Sequence, residues 1–243
     1  MNISIITATF NPGKVLNECI DSVIRNHAEE HRIQDNCSND PDTIQILNRN
    51  KKFITLVSKP DQGIYDAMNR GCMTASGEIL ACLNADDRYT DNALDCVRQT
   101  FAEHPEADIV YGNIEVNGKI IRPDSFLFKF RNARIFHPAC FMRKTLWEKL
   151  QGFDTQYHIC ADLDFFLRAK QSGAVFQYVD KPLAVFALGG ISTANRKQAE
   201  QEVCTILSRH GFSSLYIQTF RCLNSIRAIG SKLLQPLLRR RHS

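Results

Sequence analysis

The chain has 243 residues, 44% of them hydrophobic, so it can bury one large α/β core, and no uninterrupted apolar run approaches the ~18–20 residues that a membrane span requires. Its nine cysteines are odd in number and lack any Cys-x-x-Cys spacing, which argues against a zinc site or a disulfide framework and fits reduced thiols in a cytoplasmic protein. A net charge of +4 conceals an asymmetry: residues 1–202 carry 23 basic and 26 acidic side chains, whereas the remainder holds Arg209, Arg221, Arg227, Lys232, Arg239, Arg240 and Arg241 with no acidic residue.

In chain order the pattern alternates between strand and helix. An apolar strand is expected at 3–9 at once, with no basic stretch and apolar h-region before it, so no signal peptide is expected. Val15, Leu16, Cys19, Ile20, Val23 and Ile24 share one face of a helix over 14–25. A short strand at 33–35 then opens into an Asp-rich loop from Asp35 to Asp40, with a helix over 41–49. A strand at 53–58, a helix at 64–74, a buried strand at 79–83, a helix at 92–103 and a strand at 109–112 follow. This alternation predicts a mostly parallel, doubly wound sheet, and Asn117-Gly118 between two β-prone runs predicts a hairpin that adds antiparallel strands.

Two places concentrate acidic groups where a sheet of this kind binds ligands. Asn84-Ala85-Asp86-Asp87 directly follows a buried strand, where a crevice should open and where a hard divalent cation can be held by one or two carboxylates plus substrate phosphates. The bland alternative is a solvated turn capping the helix that starts near Thr90. Asp162 and Asp164 begin a second helix, where negative charge is favoured by the helix dipole alone. Arg168, four residues beyond Asp164, explains the latter as a helical ion pair.

Taken in order, the first strand, Asp35 to Asp40, Pro60 to Gly71, Asn84-Ala85-Asp86-Asp87, His137-Pro138-Ala139, Gly152-Phe153-Asp154, Ala161-Asp162-Leu163-Asp164 and Gly189-Gly190-Ile191-Ser192 resemble the family 2 glycosyltransferases of bacterial polysaccharide and lipopolysaccharide synthesis. The resemblance implies the GT-A nucleotide-diphospho-sugar transferase fold and inverting transfer of one sugar, from a donor expected to be UDP-linked, to a hydroxyl of a glycan or lipid-linked glycan. It implies that Thr7, Ala8 and Thr9 offer backbone groups to the nucleoside and that Asp35 reads the base. Asp61 and Asn69 line or brace the donor site, Asn84 touches sugar or ribose hydroxyls, and Asp86 is the ligand for Mn²⁺ or Mg²⁺. Asp87 binds the donor sugar or orients its neighbour, Asp162 is the general base with Asp164 its rival, and His137 contacts diphosphate or acceptor or is a core imidazole. Departures from the family pattern are Asn36 and Cys37 in the base-reading loop, the polar run Glu29-Glu30-His31-Arg32 before it, and Ala161 where a Glu is usual.

The expected organisation is a catalytic domain over 1–195, with a nucleotide-binding half to about 113 and an acceptor half from 114, and a helical tail over 196–243. In the tail Leu215, Phe220, Leu223, Ile226, Ile229, Leu233 and Leu237 recur at helical spacing between the cations, as in a basic amphipathic helix on an anionic membrane surface, a packed terminal helix or a helix in a protein groove. The expected place is the cytoplasm, peripheral to the inner face of its membrane, with no nucleic-acid partner. A sugar nucleotidyltransferase would carry a Gly-rich basic phosphate loop after the first strand, and residues 7–13 hold one glycine; a non-catalytic binding subunit would lack Asp86 or the base, and both are present.

Overall fold

A computed structural model describes residues 1–123, 135–189 and 195–222. The chain divides into two compact units, Met1–Ala194 and Asn195–Ser243.

In the first unit β1 (Ile3–Thr9) is buried at every position, as a central strand covered on both faces must be. β2 (Glu30–Asp35) begins three residues before its apolar part because its polar side chains find partners. Glu30 accepts from Ser4 Oγ at 2.5 Å and from the Ser76 N–H at 2.7 Å, and Arg32 pairs with Glu30 at 2.7 Å. Backbone pairing with β1 then outweighs the polar character of the segment. β3 (Thr55–Ser58) and β4 (Ile79–Cys82) complete a parallel set in the order β3-β2-β1-β4.

Helices cover both faces of this set. α1 (Val15–Arg25) buries Cys19 and Val23, and α4 (Ala93–Glu103) buries Leu94, Val97 and Phe101, in one cluster with Ile3 and Ile5. Ile6, one residue on, points to the opposite face. There Gly71 of α3 (Ile64–Thr74) comes so close that a Cβ would stand 2.5 Å from Ile6 Cγ2. That approach seats α3 on β1 and β2. After β2, α2 (Pro41–Arg49) packs with α1 and is opened by Asp40, whose carboxylate accepts the Thr43 N–H at 2.8 Å ahead of Pro41.

The remaining strands reverse direction. β8 (Cys140–Arg143) runs antiparallel between β4 and β6 (Ile109–Val116), β9 (Phe176–Val185) lies parallel to β6, and β5 (Arg88–Tyr89) is antiparallel to β9. β7 (Lys119–Ile121) pairs with β6 through the expected hairpin, with positive φ at both Asn117 and Gly118. α5 (Lys144–Lys149) follows β8, and α6 (Ala161–Gln171) precedes β9.

In the second unit α7 (Arg196–Arg209) buries Ile206 and Leu207, and residues 214–222 are again helical, with Leu215 exposed and the Phe212 and Tyr216 rings 5.2 Å apart. Gly190, Ile191 and Ser192, the tail's apolar residues from Leu223 onward and its cations from Arg227 onward lie outside the described residues. Among the described residues no helix is long and apolar enough to cross a membrane.

Candidate functional site

Strand order reverses at β1: the chain winds outward through β2 and β3 and returns to β1's other side as β4. Ligands of open α/β sheets bind beyond the carboxyl ends of the strands at such a point. Here a cleft of about 760 Å³ opens, lined among others by Ala8, Thr9, Asn84, Asp86, His137 and Asp162. β1 pairs with β4 only as far as Ile6 and Cys82, with the Leu83 N–H on the Ile6 carbonyl, but with β2 as far as Thr9 and Asp35. Because backbone groups alternate sides along a strand, those of Ala8 point toward β4 after β4 has ended.

Asp86 and Asp87 part company in a turn closed by the Asp87 N–H on the Asn84 carbonyl at 3.1 Å. Asp86 is exposed in the cleft, whereas Asp87 is 1% exposed and its Oδ1 accepts the Ala187 N–H at 2.9 Å. Burial, with the charge of Asp86, pushes the Asp87 carboxyl up to about 7, against the Ala187 N–H and the Asn84 amide, which lower it. Asp87 Oδ2 and Asn84 Oδ1 are buried without a hydrogen-bond partner among the described residues. Hard oxygen donors thus lie within four consecutive residues at this strand end, and among the described residues no group of three or more His, Cys, Asp or Glu could by itself hold a metal ion. That donor set fits Mg²⁺ or Mn²⁺ held partly by substrate phosphates.

Asp162 enters the cleft from the first turn of α6. Its Oδ1 accepts the Tyr65 hydroxyl at 3.2 Å and the Leu163 N–H at 2.9 Å, and its Oδ2 lies 3.8 Å from His137 Nδ1. His137 sits in a 3₁₀ turn (His137–Ala139), and burial lowers its pKa despite the charges of Asp162 and Asp86. Its Nε2 is buried without a partner among the described residues. The arrangement offers an open carboxylate for a cation at one place and a held carboxylate for a proton at another.

The sequence pattern of "Glycosyl transferase family 2" matches residues 4–151. The chain belongs to that family. It is 34% identical over 204 residues to a "PGL/p-HBAD biosynthesis glycosyltransferase" of Mycobacterium bovis, covering 78% of each chain. It is 32% identical over 181 residues to an uncharacterized glycosyltransferase of Mycobacterium tuberculosis, covering 69% of this chain and 68% of the other. Its fold is similar to that of S. aureus TarS 1-349 in complex with UDP-GlcNAc, with a TM-score of 0.69 and 19% identity over 89% of this chain and 69% of that one. Mannosyltransferase PcManGT from Pyrobaculum calidifontis, in complex with GDP-Man and Mn2+, gives a TM-score of 0.67 and 21% identity over 86% of this chain and 63% of that one. The chain spans 39% of a longer TarS chain. These similarities show the GT-A fold.

Several expected site residues of this family 2 chain stand behind the residues that line the cleft or brace them. Thr7, expected to offer its backbone, is fully buried, with its hydroxyl 3.0 Å from His31 Nε2. Asn69 is a brace, its amide exchanging bonds of 2.8 and 2.9 Å with the Phe153 backbone. Asp164 is 5% exposed and bound to Arg168 at 2.7 Å, whose guanidinium also donates to the carbonyls of Leu150 and Gly152. It therefore holds the 150–152 loop rather than facing an acceptor. Asp40 is the helix cap described above. Asp35 accepts from the Ser38 N–H and from Ser58 Oγ at 2.6 Å just below the cleft, and Asp61, raised by burial and the neighbouring charges of Asp66 and Asp35, accepts the Gly63 N–H at 2.9 Å. Sequence reasoning missed Phe10, Tyr65, His158, Phe136 and Phe186 in the lining. Only Phe10 and Tyr65 carried a signal, as aromatics inside recognised motifs.

The Thr7–His31 contact generates a stability prediction. Burial holds His31 down at about 3, so below its unfolded value of about 6.5 the unfolded chain takes up a proton that the folded chain refuses. Stability from this group is fully present above about pH 6.5 and is lost as pH falls toward about 3. Urea midpoints of the wild type should therefore fall between about pH 6.5 and 5, and His31→Gln should be less stable at neutral pH but flatter over that window; an unchanged slope would refute this account.

Proposed function

We propose that this glycosyltransferase moves a single sugar from a nucleotide-diphosphate donor, UDP-linked, to a hydroxyl of a glycan or lipid-linked acceptor, with inversion, in bacterial surface polysaccharide synthesis. The observation that carries this reading is the convergence of Asp86 and Asp162 on one cleft at the switch point. A Mn2+ complex of PcManGT and UDP and UDP-GlcNAc complexes of TarS support the cation and the nucleotide by analogy.

The nucleoside lies across the ends of β1 and β2. Phe10, 61% exposed on the cleft, offers a ring face for stacking, the Ala8 backbone is unclaimed by β4, and Asp35 keeps free lone pairs for a base N–H. Asp86, with Asn84 Oδ1 and Asp87 Oδ2 behind it, would hold Mn²⁺ or Mg²⁺, which when bound supplies Lewis-acid stabilisation of the departing diphosphate. Asp162 takes the proton of the acceptor hydroxyl. The acceptor oxygen then bonds to the anomeric carbon as the bond to the diphosphate oxygen breaks, its electron pair leaving with the nucleotide. Attack opposite the leaving group inverts the centre. A nucleotidyltransferase is disfavoured by the family and by the short loop after β1, which bears Gly13 alone.

The seven cations after Glu202, unaccompanied by acidic residues, are read as attraction to anionic lipid that brings the cleft to a lipid-carried acceptor.

A screen of UDP-, GDP- and dTDP-sugars for nucleotide release tests the activity, and turnover with none of them would reject it. Asp86→Ala should abolish metal-dependent UDP binding, and full turnover in EDTA would remove the cation from the mechanism. Asp162→Asn should lower kcat at least ~10²-fold with donor affinity nearly intact. Were Asp164→Asn to show that pattern instead, the base would be misassigned. Replacing Arg239, Arg240 and Arg241 by Gln should weaken salt-sensitive binding to phosphatidylglycerol vesicles without changing donor hydrolysis. Equal binding by both proteins would discard the membrane role.

A further inference from the structure

Tyr65 stands on α3 at the point where three parts of the first unit meet. Its ring is 8% exposed and packs on Phe153 at 5.3 Å, which in turn packs on Phe165 of α6 at 5.3 Å. Two bonds from Asn69 hold the Phe153 backbone to the same helix α3, and Gly71 holds that helix against β1. The tyrosine is thus fixed from behind by the central sheet.

Its single hydroxyl proton is shared between two acceptors, the Ile159 carbonyl at 2.9 Å and Asp162 Oδ1 at 3.2 Å. A tyrosine that only tied α3 to the chain before α6 would be satisfied by the carbonyl. The second contact reaches a carboxylate in the cleft. Asp162 Oδ1 also receives the Leu163 N–H, so two donors converge on one oxygen. Oδ2 receives neither: it lies 3.8 Å from His137 Nδ1, beyond hydrogen-bonding distance.

Resting on the reading of Asp162 as the base, we infer that Tyr65 is a positioning residue which pins Asp162 through Oδ1 and so makes Oδ2 the oxygen that takes the acceptor proton. In the transfer step the acceptor O–H bond breaks and its proton passes to Oδ2, the oxygen bonds to the anomeric carbon, and the carbon–diphosphate bond breaks with its electron pair retained by the diphosphate. Tyr65 keeps its proton throughout, since burial and the charge of Asp162 push its ionisation well above the ordinary tyrosine range. Among the described residues His137 from the 3₁₀ turn and Cys140 from β8 also feel the charge of Asp162, and Cys160 at the head of α6 faces Tyr65. Burial lowers His137 and raises Cys140, so both are neutral near pH 7 and neither offers Asp162 an opposite charge.

Tyr65→Phe tests this, because it keeps the ring packing and removes one oxygen. With UDP-GlcNAc or GDP-mannose and Mn²⁺, kcat should fall about tenfold, the loss expected for a hydrogen bond to a charged group, while donor KM stays nearly constant. The acid limb of the kcat profile should move to higher pH, since a donor to the ionised carboxylate has gone. In an Asp162→Asn background the same change should cost little more. Independently of turnover, the ¹³C titration of the Asp162 carboxyl in the donor-free protein should move to higher pH in Tyr65→Phe. An unmoved carboxyl titration, or a loss that multiplies with that of Asp162→Asn, would reduce Tyr65 to a packing residue. Full activity in Asp162→Asn alone would instead overturn the base reading, leaving the carboxyl titration to report on the contact itself.

Discussion

Parallel pairing between β1 and β4 ends at Ile6 and Cys82, whereas pairing between β1 and β2 runs on to Thr9 and Asp35, and this mismatch opens the sheet where its strand order reverses. Had the two ladders ended level, Ala8 would be bonded to β4 and residues 84–87 would lie in a strand. Because they do not, the chain after β4 turns out of the sheet, sends Asp86 to solvent and is then caught by β9 through the Arg88–Val185 and Tyr89–Ala184 pairs. That second pairing brings Ala187 onto Asp87 and Phe186 into the cleft. The cleft is therefore a consequence of strand lengths before it is a collection of side chains.

Electrostatics then separates the carboxylates by the company each keeps. Asp87 is buried beside another carboxylate with one N–H to offset the cost, so its second oxygen is where a cation would be worth most. Asp162 is instead held by hydroxyl and backbone donors, and Asp164, two residues on, is neutralised by Arg168. Residues Asp162 and Asp164 share a helix turn but not a face, so one reaches the cleft and the other the 150–152 loop. Position on the helix rather than residue type decides their work.

Much of this was legible along the chain. The βα alternation, the helices over 41–49 and 64–74, and the Asn117-Gly118 hairpin follow from local periodicity and turn chemistry, which act within a few residues. β2 was read too short because Glu30, His31 and Arg32 look like loop residues until Ser4, Thr7 and Ser76 arrive beside them from distant positions. The reciprocal holds for Thr7, whose hydroxyl looks free at the end of an expected strand until His31 arrives beside it. Asn69 shares a motif with Tyr65 yet faces Phe153.

What the sequence by itself determined is the element order and the chemical types at the strand ends, since hydrophobic period, caps and turn residues are short-range properties of the chain. Only the tertiary structure decided which of those groups share a cleft. Asp86 and Asp162 are separated by most of the second half of the sheet in sequence, and their meeting depends on β8 inserting antiparallel between β4 and β6 and on β9 returning to β5. Those pairings are set by packing among residues far apart in the chain, which no local pattern encodes.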